Sequence, residues 1–166
     1  MQFIELTQGY VAAIDNADYD RVAQYKWHAT TSRKRSDGSV QVYATRNIAK
    51  EGGGRTRQML HRFIMTTPIG LDTDHINGNG LDNTRKNLRI CTRSENAYNQ
   101  RPQLGTSCYK GVYWSKCSGK WQGQIAMRGK CIHLGLFVSE RDAAIAYNNA
   151  ALQLYGDFAH LNRVDV

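Results

Sequence analysis

Thr73-Asp74-His75-Ile76-Asn77-Gly78-Asn79-Gly80-Leu81-Asp82-Asn83 is followed, after three intervening residues, by Asn87-Leu88-Arg89-Ile90-Cys91-Thr92-Arg93-Ser94-Glu95-Asn96. The Asn/Gly run after His75 is dense in turn signals. Leu88 to Thr92 reads as a strand. Thr92 and Glu95 stand at capping-box spacing, so a helix is expected to start there. Pro102 would stop that helix soon after Gln100. The local plan is strand, polar loop, strand, helix, with polar side chains converging.

Such a plan can support chemistry. An Asp carboxylate and an Asn amide oxygen are hard donors that suit Mg²⁺ or Mn²⁺ better than zinc. A neutral imidazole can take a proton from water. Together they fit metal-assisted hydrolysis of a phosphodiester. Asp74 and His75 are adjacent, so a regular strand would point them to opposite faces. To serve one site they must lie where the strand gives way to the loop. An isolated Asp–His pair would read as a solvated surface turn; Asn87 and a capped helix carrying Asn96 argue for a site.

The preceding residues look β-rich. Residues 3–6 and 10–14 read as one hairpin. Residues 41–48 and 57–60, joined through Gly52-Gly53-Gly54, read as another. A short helix is expected over residues 18–23, and Trp27 is expected as a core anchor.

The chain has 166 residues, a normal globular share of apolar and charged residues, and a net charge of +8. From Asn96 to Ser139 there is no Asp or Glu but six cations: Arg101, Lys110, Lys116, Lys120, Arg128 and Lys130. A stretch of this kind suits a polyanion, nucleic acid first among them. The opening Met1-Gln2-Phe3-Ile4-Glu5 lacks the basic and apolar regions of a signal peptide, and no apolar run is long enough to span a bilayer. The four cysteines, Cys91, Cys108, Cys117 and Cys131, show no C-x-x-C spacing. Reduced thiols and a cytoplasmic setting, phage-infected or bacterial, are expected.

Residues 101–107 read as a linker, which gives domains over 1–100 and 108–166. The second domain reads as three strands and a helix. Residues 110–114 open it. Along residues 120–128, Trp121, Ile125 and Met127 fall on one face and Gln122, Gln124, Ala126 and Arg128 on the other. Residues 131–135 follow a turn at Gly129-Lys130. Ser139 caps a helix with Asp142 three residues on, Ala143, Ala144, Ala146, Tyr147, Ala150, Ala151 and Leu154 give it a small-residue face, and Gly156 ends it. The outer sheet face would show Gln, Arg, His, Tyr and Lys, which suits either a major groove or plain solvent.

Two resemblances sharpen these readings. Leu60-His61-Arg62-Phe63-Ile64, Asp74-His75-Ile76-Asn77-Gly78-Asn79, Asp82-Asn83, Asn87-Leu88-Arg89 and Glu95-Asn96-Ala97 resemble the HNH family of ββα-metal nucleases, above all its phage and intron-encoded homing-endonuclease branch. Leu6-Thr7-Gln8-Gly9 and Tyr25-Lys26-Trp27 resemble the N-terminal part of that branch. The resemblance implies Asp74 as a metal ligand, His75 as general base and Asn87 as the residue holding the loop and the His. Asn96 would be the second ligand, standing where the family has its naming His, with Asn99 as an alternative. Arg62 and His61 would touch phosphate or pack. Tyr109-Lys110-Gly111-Val112, Gly119-Lys120-Trp121, Leu134-Gly135, Phe137, Ala143-Ala144-Ile145-Ala146-Tyr147 and Leu161-Asn162 resemble the plant Apetala (ethylene-response-factor) DNA-binding domain. That implies groove-reading positions at Tyr113, Ser115, Lys116, Gln122, Gln124, Ala126, Arg128, Lys130 and His133.

The expected fold class is α+β: a β-rich N-terminal region with a ββα-metal core, then a three-stranded antiparallel sheet on one helix. The expected function is site-specific cutting of double-stranded DNA by a monomer using Mg²⁺ or Mn²⁺, with no small-molecule cofactor and no membrane. The alternative is a non-catalytic DNA-binding transcription regulator.

Overall fold

The computed structural model describes residues 1–32, 40–101 and 105–164. Residues 102–104 of the expected linker lie outside them. The chain falls into two compact units, Met1–Asn96 and Ala97–Val166. The architecture is α+β with antiparallel pairing between all its named strands. Among the described residues, no helix is long and apolar enough to cross a membrane.

In the first unit, β1 (Gln2–Glu5) pairs with β2 (Val11–Ile14) as a hairpin. A 3-10 turn and α1 (Tyr19–Ala23) follow. Strands β3 (His28–Thr31), β4 (Val42–Ala49) and β5 (Arg55–Met59) form one sheet in that order. Ile4, Ile14, Val22, Trp27, Ala44, Leu60, Ile64 and Leu88 build the core. Trp27 anchors it, its Nε1 donating to the Val22 carbonyl at 3.0 Å.

Leu60 departs from expectation. It does not end the hairpin strand but opens α2 (Leu60–Met65). Leu60 and Ile64, one helical turn apart, are both almost fully buried. That spacing puts both on one helix face. A six-residue element between a strand and a turn is too short to show a helical period in sequence.

The ββα element follows. β6 (Asp72–His75) pairs with β7 (Leu88–Cys91), and α3 (Arg93–Tyr98) comes next. The capping box forms: Thr92 N donates to Glu95 Oε2 at 2.7 Å, and Glu95 N donates to Thr92 Oγ1 at 3.3 Å. The helix ends at Tyr98, so Asn99 lies beyond it.

In the second unit, β8 (Val112–Ser115), β9 (Lys120–Met127) and β10 (Lys130–Phe137) form a sheet with β9 central. α4 (Glu140–Tyr155) packs on it through Ala143, Ala144, Tyr147, Ala151 and Tyr155. Ser139 caps this helix through its side chain. The first strand starts two residues later than expected because Gly111 adopts φ +74°. A Cβ there would come within 2.2 Å of the Tyr147 ring and 2.4 Å of the Gln124 carbonyl. Small size and left-handed backbone are both required at that position.

Candidate active site and nucleic-acid interface

β6 presents two faces. His75, the last residue of β6, and Thr73 point one way, Asp72 and Asp74 the other, so Asp74 and His75 can serve one site only around the end of the strand and not on one face of it. On the His75 side, the His61 ring lies edge-on to His75 with centroids 4.7 Å apart. Tyr43 from β4 packs on both rings, at 5.8 and 6.0 Å. His75 Nε2 lies 3.3 Å from Asn83 Oδ1. Asn83 is fully buried, and its own amide donates to the Gly80 carbonyl. That bond turns the Asn83 oxygen toward the imidazole, where it accepts from the tautomer that carries its hydrogen on Nε2. Burial pushes the His75 pKa below its usual value, although Asn83, Asp74 and Asp82 all favour the charged form. His61 is driven further, to about 3, by burial first and then by His75 and Arg62. At neutral pH both rings are uncharged.

The loop after His75 is pinned from two sides. Asn87 Oδ1 accepts from Asn77 N at 3.0 Å, and Asn87 Nδ2 donates to the Asp82 carbonyl at 2.7 Å. β2 grips the loop's far end: Ala13 N donates to the Leu81 carbonyl, and Asn83 N donates to the Ala13 carbonyl, each at 2.8 Å. Gly80 lies so close to β4 that a Cβ would meet the Val42 carbonyl at 2.4 Å and the Tyr43 ring at 2.7 Å. The turn before Asn87 is tied down through Arg85. Its guanidinium donates to both oxygens of buried Asp18 at 2.8 Å, and Arg21 shares Oδ1 at 2.9 Å. Burial alone would raise the Asp18 pKa, but the Arg85 and Arg21 bonds and charges outweigh it and hold the carboxyl below its usual value.

On the opposite face, Asp74 sits across from Arg89 in the β6–β7 register. Arg89 Nε and Nη2 donate to Asp74 Oδ2 at 3.0 and 2.7 Å. Asp72 accepts from Asn96 Nδ2 at 3.3 Å and has Arg62 Nη1 at 3.6 Å. Arg62 also donates to the Leu71 carbonyl at 2.7 Å. Cys91, opposite Asp72, has its thiol pushed up to about 11, by burial first and then by the Asp74 and Asp72 charges. It is a thiol at neutral pH, not a soft thiolate ligand.

Of the residues expected to hold a metal, Asp74 and Asn96 thus each meet a side-chain partner. Asn96 is bonded to Asp72, a residue that the sequence reading did not single out, whereas Asp74 pairs with Arg89. Among the described residues, no group of three or more His, Cys, Asp or Glu is placed to hold a metal ion. A metal here would rest on carboxylate and amide oxygens and on water, a donor set that Mg²⁺ tolerates because it keeps several waters. In chemical type the residues fit a hard divalent ion.

In the second unit, strand alternation puts Tyr113, Ser115, Gln122, Gln124 and Ala126 opposite the buried Val112 and Ile125, on the face away from α4. His133 pairs with Gln124 on that face, and Cys131 with Ala126. Gln122 Nε2 donates to Tyr113 Oη at 3.1 Å, and Cys131 Sγ donates to Gln124 Oε1 at 2.7 Å. Lys116 lies in the β8–β9 turn. Arg128 lies with Gly129 in the β9–β10 turn, and Lys130 opens β10 just after it. Arg128 itself has a left-handed backbone, φ 50°. One cation of the acid-free stretch points elsewhere. Lys110 Nζ donates to the Tyr98 and Gln100 carbonyls at 2.7 and 2.8 Å, and burial lowers its pKa to about 8.

Residues 66–98 match the family model described as HNH endonuclease. The chain is 31% identical over 115 residues to an uncharacterized HNH endonuclease of Acanthamoeba polyphaga mimivirus, an overlap of 66% of this chain and 59% of that protein. It is 41% identical over 64 residues to Protein 3.8 of Escherichia phage T7, covering 38% of this chain and 53% of that protein. It is 44% identical over 63 residues to dehydration-responsive element-binding protein 2D of Arabidopsis thaliana, covering 37% of this chain and 30% of that protein. The chain therefore spans little more than half of the first two relatives' lengths. No solved structure matches. The ββα segment carries the sequence signature of the HNH endonucleases, and the C-terminal region is similar to plant AP2/ERF DNA-binding domains.

Proposed function

We propose that this chain is a site-selective DNA endonuclease of the homing type. Its first unit hydrolyses a phosphodiester and its second reads the target in the major groove. One observation carries the reading: the matched segment, residues 66–98, contains Asp74, His75, Asn87 and Asn96 on one strand–loop–strand–helix element. Asp74 and Asn96, joined by Asp72, would hold Mg²⁺ or Mn²⁺. When bound, such an ion would draw charge from the phosphodiester oxygens. The chain's own residues supply the proton chemistry. In the tautomer that donates from Nε2 to Asn83, Nδ1 would be the basic nitrogen that takes the proton from water. Burial keeps that imidazole neutral and competent at ordinary pH. Asn87 orients the loop that follows His75.

The second unit would lay its outer sheet face along DNA. Gln122, Gln124, Tyr113, Ser115 and His133 would face base edges, with Lys116, Arg128 and Lys130 at phosphates; within the first unit, Arg62 would touch phosphate.

The Arg89 pair on Asp74 favours one rival, a DNA-binding regulator that does not cut. Incubating supercoiled DNA with Mg²⁺ or Mn²⁺, against EDTA, separates the two. Metal-dependent nicking or linearisation that is lost in His75→Ala supports the nuclease. Tight, specific binding without cutting on any DNA supports the regulator.

A further inference from the structure

Arg89 occupies the carboxylate that a metal would need. The two residues face each other across β6 and β7. Two guanidinium nitrogens donate to Asp74 Oδ2, and the side chains are 15% and 9% exposed. A cation approaching Asp74 therefore meets a carboxylate whose charge is already balanced and whose oxygen already accepts two bonds. Its Coulomb gain is correspondingly smaller. Asp72, two residues earlier on the same face, is balanced in a looser way by Arg62 at 3.6 Å.

We propose that Arg89 is a displaceable latch on this site: its guanidinium holds Asp74 until a divalent cation takes the carboxylate, and it thereby sets the affinity for that cation. The inference rests on the reading of Asp74 as a metal ligand. It extends that reading by giving the site two exclusive states. If about nine in ten molecules hold the closed pair, apparent metal affinity falls about tenfold below that of the open site.

The test is Mn²⁺ titration of the full chain by calorimetry, with circular dichroism as a fold control. Arg89→Gln is expected to bind Mn²⁺ about tenfold more tightly than the unaltered protein. Arg89→Lys, a point charge without the planar fork, should gain a smaller factor than Arg89→Gln. Asp74→Asn should lose binding. A second readout needs no substitution: the Arg89 Nε–H resonance should shift with Mg²⁺ in step with occupancy.

Unchanged affinity in Asp74→Asn would overturn the ligand reading, and the latch with it. Loss of binding in Asp74→Asn, together with unchanged or weaker binding in Arg89→Gln, would overturn the latch alone. If Arg89→Gln does not fold, Arg89→Lys decides: tighter binding supports the latch, and equal or weaker binding overturns it.

Discussion

The side-chain oxygen of Asn87 accepts the backbone N–H of Asn77 at 3.0 Å, and together with the Ile76 N–H, which donates to the Asn87 carbonyl at 2.9 Å, this bond holds the chain as it leaves β6. The Asn87 amide nitrogen holds the Asp82 carbonyl at the other end of the same loop. The loop carries Asn83, whose side-chain oxygen meets His75 Nε2 at 3.3 Å. Asn87→Ala removes both bonds and lets the imidazole wander, and a displacement near 1 Å can cost about a hundredfold in rate. Asn87→Asp keeps the acceptor and loses only the donor. Cleavage of supercoiled DNA should therefore rank unaltered protein, Asn87→Asp, Asn87→Ala, with DNA binding little changed. An Asn87→Ala variant as active as the unaltered protein would remove Asn87 from the site.

His75 and His61 touch, yet they should behave differently. General-base catalysis contributes about 10²–10⁴-fold. His75→Ala should lose cleavage on that scale while nearly keeping DNA binding. Equal loss of cleavage and binding would count against His75 as the base. His61, its pKa pushed down to about 3 by burial first, is uncharged at neutral pH. His61→Phe keeps an aromatic edge against His75 and should retain most of the cleavage. Abolished cleavage in a folded His61→Phe would show that His61 does more than pack.

Local signals in the sequence were enough for much of this architecture. The first hairpin, the Thr92–Glu95 box, the Ser139 cap and the alternation along β9 all depend on residues a few positions apart. α2 was not legible, because Leu60 and Ile64 make only one helical repeat. The Asp74–Arg89 pair was not legible either. It follows from the β6–β7 register, and adjacency within a strand does not reveal which residue lies opposite. Asn83 shows the same gap. It looks like an ordinary turn asparagine until β2 grips it through Ala13, some seventy positions earlier, and buries it against His75. The one usable signal was its place in an Asn-rich loop beside a histidine.

Asp18 links two arginines beneath the turn that carries Asn87, and its charge matters to folding. Hydrogen bonds to charged groups contribute roughly 1.5–3 kcal/mol, so Asp18→Asn should destabilise the first unit by about that amount in urea unfolding. The pH dependence has a defined sign. The folded carboxyl is held below the usual value of 3.8, so its contribution is fully present above that pH. It disappears as pH falls below 3.8 and through the lower folded value. The unaltered protein and Asp18→Asn should therefore converge in stability under strong acid. A constant difference down to the lowest pH would mean that Asp18 acts through packing rather than charge.

Gln122 and Gln124 stand two residues apart on the outer face of β9, each held by a neighbour. Tyr113 Oη accepts from the Gln122 amide nitrogen, so the Gln122 oxygen is left to accept from a base amino group. Cys131 donates to the Gln124 oxygen, so the Gln124 nitrogen is left to donate to a base carbonyl or ring nitrogen. The two side chains would then discriminate different edges. Gln122→Ala and Gln124→Ala should each relax preference at a different base position, by roughly 1–3 kcal/mol if the contact is a good one. Cleavage of non-cognate DNA should persist, because the His75 side of the first unit is untouched. Cys131→Val should loosen Gln124 alone and broaden the same position that Gln124→Ala broadens. Selection from a randomised target library reads all three variants. Unchanged preference in both glutamine variants would move target reading off this face of the sheet.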